Sequence, residues 1–161
     1  MLEAIALEKA SGIILDLRSN PGGLLESVVD VASRFLDEGE VIAIIRDNRG
    51  NEETIKANLQ EVTTDLPIVV LVDGFSASGS EVLAGALQDH DRATIAGSKT
   101  YGKGSVNYFI QLADGSGLYI TAARWLTPDG SLIEGEGIAP GVELGEEDAI
   151  QWAIDYLKGN R

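Results

Sequence analysis

The sequence predicts an α/β fold, and three observations carry that expectation. Strand-like and helix-like runs alternate through the first half of the chain, as they do in βαβ units with right-handed crossovers. Ile68-Val69-Val70-Leu71-Val72 is an unbroken aliphatic run, which suits a strand buried on both faces of a sheet. The chain has 161 residues, 44% hydrophobic and 24% charged. That is enough for one buried core and too apolar for a disordered segment.

The elements follow in order. Residues 12–17, Gly-Ile-Ile-Leu-Asp-Leu, read as a first buried strand, ended by the turn-forming Asn20-Pro21-Gly22-Gly23. Leu24, Val28, Val31, Ala32 and Phe35 recur at helical spacing, which predicts a helix over 24–37. Val41 to Arg46 is a second strand. Thr54 to Leu59 is a third, followed by an acidic, Thr-rich loop to Pro67. After the central strand, Gly74 to Gly79 is a small-residue turn. It opens a helix over 80–90 with Val82, Leu83, Ala86 and Leu87 on one face. Ala93 to Ala96 is a short strand, and Gly97 to Gly104 a glycine-punctuated loop. Val106–Leu112 and Leu118–Ala123 alternate around Asp114-Gly115-Ser116-Gly117, which predicts a hairpin. Residues 125–140 read as irregular, 146–158 as a last helix, and Lys158 to Arg161 as its frayed end.

Composition excludes several classes. Twenty-six acidic against twelve basic residues give a net charge of −14, which disfavours nucleic acid and anionic membranes as partners. Without cysteine there is no disulfide, thiol nucleophile or thiolate metal site. With a single histidine, His90, a zinc site of several imidazoles is excluded. No apolar run approaches the ~20 residues of a membrane helix. Met1 to Ile5 is not a signal peptide. Leu2, Ile5, Ala6 and Ala10 fall near helical spacing, so the chain is expected to begin inside a helix, as a trimmed part of something longer.

Two strand-to-helix turns are placed for chemistry: Ser19 to Gly23 and Gly74 to Ser80. In open α/β sheets, sites gather where parallel strands end and helix N-termini offer unpaired N–H donors. Two readings of Ser76, Ser78 and Ser80 stand side by side. They cap the following helix, with Glu81 assisting, or one of them is a nucleophile beside an oxyanion site. Tyr101-Gly102-Lys103-Gly104-Ser105 is open in the same way. Lys103 is a solvated loop residue, or a desolvated general base whose backbone must approach something closely. His90 lies twelve residues after Ser78. That is roughly 18 Å along one helix, so the two do not touch within it, and His90 suits the helix C-terminus.

Six segments then match a known pattern in order: Ile14 to Gly23, Gly74 to Glu81, Ala84 to Asp89, Arg92 to Gly97, Thr100 to Val106, and Leu126 to Pro140. The chain resembles the catalytic core of the C-terminal processing, or tail-specific, proteases. The resemblance implies a crotonase-like α/β spiral and a serine endopeptidase with a Ser–Lys dyad. Ser78 would be the nucleophile and Lys103, 25 residues on, the general base. Gly79, with the Gly22-Gly23 turn, would supply the oxyanion hole, and Asp89 a supporting role. It implies no cofactor and no metal.

Three positions depart from the pattern. Asn107 stands where a lysine-orienting Gln is usual, Gly79 where Ala is common, and Pro140-Gly141 where Pro-Asp is usual. The resemblance also implies protein or peptide partners held by extended C-terminal tails, as in strand addition, and an extracytoplasmic location. Residues 1–161 are expected to be one protease core without the family's PDZ domain and N-terminal flank. A sheet edge left bare by that absence makes a homo-oligomer an expectation. Two alternatives stay open: a non-catalytic peptide- or ligand-binding domain of the same fold, and an acyl-CoA enzyme on it.

Overall fold

A computed structural model describes residues 10–145 and 148–159. The aliphatic run forms a strand, Ile68–Val72, with all five residues buried. It lies inside a parallel sheet with Ile13–Asp16 on one side and Thr94–Gly97 on the other, and Val142–Glu143 beyond the latter. In chain order these four strands are β1 (Ile13–Asp16), β4 (Ile68–Val72), β5 (Thr94–Gly97) and β8 (Val142–Glu143). Ile68, Val70 and Val72 join the main core with Val28, Val82, Leu83 and Leu87. Val69 and Leu71 face the opposite way, onto Ala153, Trp152 and Tyr156. Both faces are covered, which is why the strand carries no polar alternation.

Among the described residues, three helices complete this layer: α1 (Leu25–Ala32), α2 (Gly79–Asp89) and α3 (Ala149–Leu157). A second, antiparallel sheet has the order β3-β2-β7-β6, from β2 (Val41–Asp47), β3 (Glu52–Lys56), β6 (Ser105–Gln111) and β7 (Gly117–Leu126). The β6–β7 turn is closed by Asp114, which accepts from Ser116 N at 3.0 Å and Ser116 Oγ at 2.6 Å. Gly115 takes the positive φ the turn requires. Among the described residues no helix is long and apolar enough to cross a membrane.

Several boundaries differ from the sequence expectation. The first helix stops at Ala32 rather than at residue 37. The buried Ser33 turns its hydroxyl back onto Val29 O (2.6 Å) and accepts Asn58 N (2.9 Å), so a serine at the helix end ties in a distant loop. The third strand begins at Glu52, two residues before Thr54. Asp47 organises the preceding turn and sets Arg46 opposite Glu52. The long strand β7 runs on to Leu126 because Trp125 and Leu126 pair with Ile45 and Ile44, a tertiary pairing that a local pattern does not display. Within the segment read as irregular, Leu126 bridges Leu132, and β8 just beyond it was not foreseen. The last helix starts at Ala149, capped by Asp148, which accepts Ile150 N and Gln151 N. The helix expected around Leu2 to Ala6 and residues 146–147 lie outside the described residues.

Candidate active site

Strands β1 and β4 are parallel neighbours, so their following turns meet at one end of the sheet. Asp73 joins them. Its Oδ1 accepts Ser19 N (3.0 Å), Phe75 N (2.9 Å) and Ser76 N (3.0 Å). Partial burial raises its pKa, but these N–H donors outweigh burial and hold the carboxyl below its ordinary value. Asn20 O accepts Ala77 N and Ser80 Oγ, both at 3.0 Å. The buried Ser76 donates its hydroxyl to Leu17 O at 2.8 Å. Two of the three candidate serines are thus stitches between the turns.

Ser78 remains. It has φ 54° and ψ −115°, outside the regions an L-residue ordinarily occupies, at the junction of β4's turn and α2. Such strain costs of order 1–3 kcal/mol and persists only where surrounding structure enforces it. Here the enforcement is a hydrogen bond from Ser78 N to Glu81 Oε2 (2.8 Å) and one from Glu81 N to Ser78 O (2.9 Å). The capping reading holds for the backbone of this turn, with Glu81 the principal partner.

The Gly22-Gly23 turn packs directly on this junction. A Cβ at Gly22 would stand 2.5 Å from Gly79 N and 2.6 Å from Ala77 O, so only glycine fits there. Gly22 N is engaged by Asn20 Oδ1 at 2.9 Å. Gly23 N and Gly79 N have no protein partner among the described residues. A strained serine flanked by two uncommitted N–H groups at a helix N-terminus is an arrangement suited to a developing oxyanion.

The lysine loop is drawn to the same place by Glu81. This residue is fully buried and receives four donors. Oε1 accepts Thr100 Oγ1 (2.7 Å) and Gly102 N (2.6 Å); Oε2 accepts Ser78 N and Lys103 N, each at 2.8 Å. Across the loop, Gly135 N donates to Gly102 O (2.9 Å) and Gly104 N to Glu134 Oε2 (2.7 Å). A side chain at Gly104 would run into the Glu134 backbone, and one at Gly102 would crowd Gly135. The Gly-Lys-Gly spacing therefore reflects close backbone approach on both sides of Lys103. The convergence on Glu81 was visible in the sequence only as the third residue of a capping box.

Other expected site residues stand apart. Asn107 spends its amide within the hairpin: Nδ2 donates to Ser105 Oγ (3.0 Å) and Oδ1 accepts Thr121 Oγ1 (2.7 Å). It sits at a bulge and has no bond to Lys103, so the lysine-orienting role expected of it is not seen. Asp89 is at the far end of α2, where it accepts Asp129 N at 2.9 Å. His90 caps the same end, its Nε2 2.8 Å from Val41 O and its Nδ1 3.5 Å from Glu40 Oε1. The chain's one histidine is thus removed from Ser78. The desolvation expected of Lys103 is also not found, since its side chain is exposed. An apolar pocket of about 80 Å³, lined by Leu25, Val28, Val82 and Trp125, opens beside Ser78. A larger one of about 280 Å³ lies under the Gly22-Gly23 turn, against Leu15, Leu24 and Leu83.

A strained serine where a buried parallel strand meets a helix is a geometry that exposes its hydroxyl beside helix N-terminal N–H groups. Residues 1–144 match peptidase family S41, and the chain belongs to that family. It is 44% identical over 138 residues to a carboxy-terminal-processing protease of Bartonella bacilliformis, covering 86% of this chain and 32% of that protein. It is 41% identical over 143 residues to a chloroplastic C-terminal processing peptidase of Tetradesmus obliquus, covering 89% and 31%. The solved photosystem II D1 C-terminal processing protease superposes with a TM-score of 0.83 at 40% identity, over 89% of this chain and 37% of that one. The chain therefore spans about a third of the length of these relatives.

Proposed function

We propose that this chain is the catalytic core of a serine endopeptidase that cuts proteins near their C-terminal tails, with Ser78 as nucleophile and Lys103 as general base on a crotonase-like spiral. The observation that carries this reading is the shared carboxylate. Glu81 Oε2 holds the strained Ser78 backbone and the Lys103 backbone at one point. Family membership and relatives named as processing proteases support it.

The steps follow from the residues. Ser78 Oγ attacks the scissile carbonyl carbon while its proton passes to the neutral amine of Lys103. The carbonyl oxygen becomes an oxyanion and is met by the N–H groups of Gly79 and Gly23; Gly22 N–H is committed to Asn20. The carbon–nitrogen bond breaks as the Lys103 ammonium returns the proton to the leaving amine. Water then attacks the acyl-serine with Lys103 again taking the proton, and Ser78 is regenerated. The pocket walled by Val28, Val82 and Trp125 holds a small apolar side chain next to the scissile bond.

Lys103 is exposed in this chain, and a general base needs a drier setting than that. The chain is accordingly proposed as the protease core alone, with the covering of Lys103 and tail capture by a PDZ domain belonging to the further length of the relatives. An extracytoplasmic setting is part of the same reading, supported by the relative named as chloroplastic. The exposure of Lys103 is also what a non-catalytic peptide-binding domain of this fold would show. A fluorophosphonate probe separates the two. Slow modification of Ser78, located by peptide mass spectrometry and lost in Ser78→Ala, supports catalysis. Absence of modification at any pH supports the binding domain.

A further inference from the structure

The β6–β7 hairpin stands out from an otherwise acidic molecule. Between Ser105 and Ala123 the only charged side chain is Asp114, in the turn, while the whole chain carries a net charge of −14. The register places Tyr108 opposite Ile120 and Ile110 opposite Leu118, so these four share one face, which Leu112 extends towards the turn. All five are between 41 and 63% exposed. The strand β6 is also an edge of its sheet, and from Ser105 to Gln111 it contains no lysine and no proline to blunt it.

We infer that this face is a self-association surface, on which the arm of a second copy of this chain packs. Two features favour a second copy. Two copies with a charge of −14 each repel through most of their surface, and the uncharged arm is where they approach at least electrostatic cost. When the arms are laid antiparallel about a two-fold axis through the Ile110–Leu118 row, each apolar row meets its own kind. The area sets the strength. A free aromatic side chain offers about 150–250 Å², and aliphatic ones less. At the exposures seen, the five contribute at most roughly 500 Å² per copy, at or below the ~1,000 Å² total at which specific interfaces begin. The dimer is therefore weak and concentration-dependent. It involves no catalytic step and stands or falls independently of the protease reading.

Sedimentation of the 161-residue chain across the micromolar range tests it. The expected result is a monomer–dimer equilibrium whose dissociation constant rises at least tenfold in Tyr108→Lys/Ile110→Lys, an effect of hot-spot size. Circular dichroism shows whether that variant remains folded. The absence of native cysteine allows a second, milder test. Mild oxidation should cross-link Ile110→Cys as a dimer, but not Glu53→Cys on the exposed β3 strand at the other edge. A monomer at every concentration, a dimer indifferent to the two lysines, or equal cross-linking at both cysteines would overturn the inference. A monomer would point instead to an arm covered by other parts of a longer protein.

Discussion

The backbone nitrogens of Ser78 and Lys103 donate to the same atom, Oε2 of Glu81, each at 2.8 Å. The two backbones, 25 residues apart in sequence, are therefore within twice that distance of each other. Glu81 is a positioning residue: it binds no substrate in the proposed mechanism, yet it fixes the backbone attachment points of both members of the proposed dyad. Glu81→Gln keeps the shape but places an NH₂ group against N–H donors. Breaking such buried bonds costs of order 1–3 kcal/mol in stability. A displacement of about 1 Å at a catalytic group costs about 100-fold in rate. The expected outcome is a fall in kcat of that order with KM little changed, in a protein still folded by circular dichroism. Wild-type kcat in Glu81→Gln would remove Glu81 from the account.

The glycines beside Lys103 give a second prediction. Gly104→Ala forces a methyl group into the Glu134 backbone, and overpacking of this kind costs about 1–3 kcal/mol. Gly74→Ala meets only Lys99 O, at 3.9 Å, and should be close to neutral. Thermal unfolding of both variants checks the contrast. Equal melting temperatures would mean that the lysine loop is free to move away from residues 133–137.

Much of the layout was legible in the sequence, for identifiable reasons. The run Ile68–Val72 read as a strand buried on both faces, and the structure covers it on both faces. The two glycine-containing turns marked the carboxyl ends of β1 and β4 because glycine is needed where backbones nearly touch. What stayed hidden depends on long-range partners. Glu81 looked like a helix cap, since its bonds to Thr100, Gly102 and Lys103 come from a loop some twenty residues away. Gly22 and Gly23 looked equivalent as donors until Asn20 was found to occupy Gly22 N. Asn107 matched a lysine-orienting position in spacing, but a bulge and Thr121 gave its amide other partners.

Acid sensitivity follows from Asp73. Its carboxyl is held below its ordinary value in the folded chain, so the native state binds fewer protons than the unfolded state, where the value is near ~3.9. The stabilisation is present above that unfolded value and is lost as pH falls through the lower, folded one. Asp73→Asn should therefore reduce stability at neutral pH and flatten the acid limb of the stability curve. Urea titrations from neutral to strongly acidic pH measure both. An unchanged acid limb would show that Asp73 does not lock the two turns.

The pocket beside Ser78 predicts a specificity change. Trp125→Ala enlarges the space that Val28, Val82 and Trp125 enclose. Peptides with a bulky apolar residue before the scissile bond should gain kcat/KM by roughly tenfold relative to alanine peptides, the scale of one or two methylenes in a pocket. An unchanged preference profile would place the substrate side chain elsewhere.

Peptide cleavage by four proteins tests the central claim most directly: the chain as it stands, Ser78→Ala, Lys103→Ala and His90→Ala. The cleavage site is read by mass spectrometry and the rate is followed at one fixed pH. The account predicts slow cleavage of unstructured peptides by the chain alone. That cleavage is lost in Ser78→Ala and Lys103→Ala and kept in His90→Ala, whose imidazole lies at the far end of α2. Cleavage that survives Lys103→Ala, or that disappears in a folded His90→Ala, would contradict it.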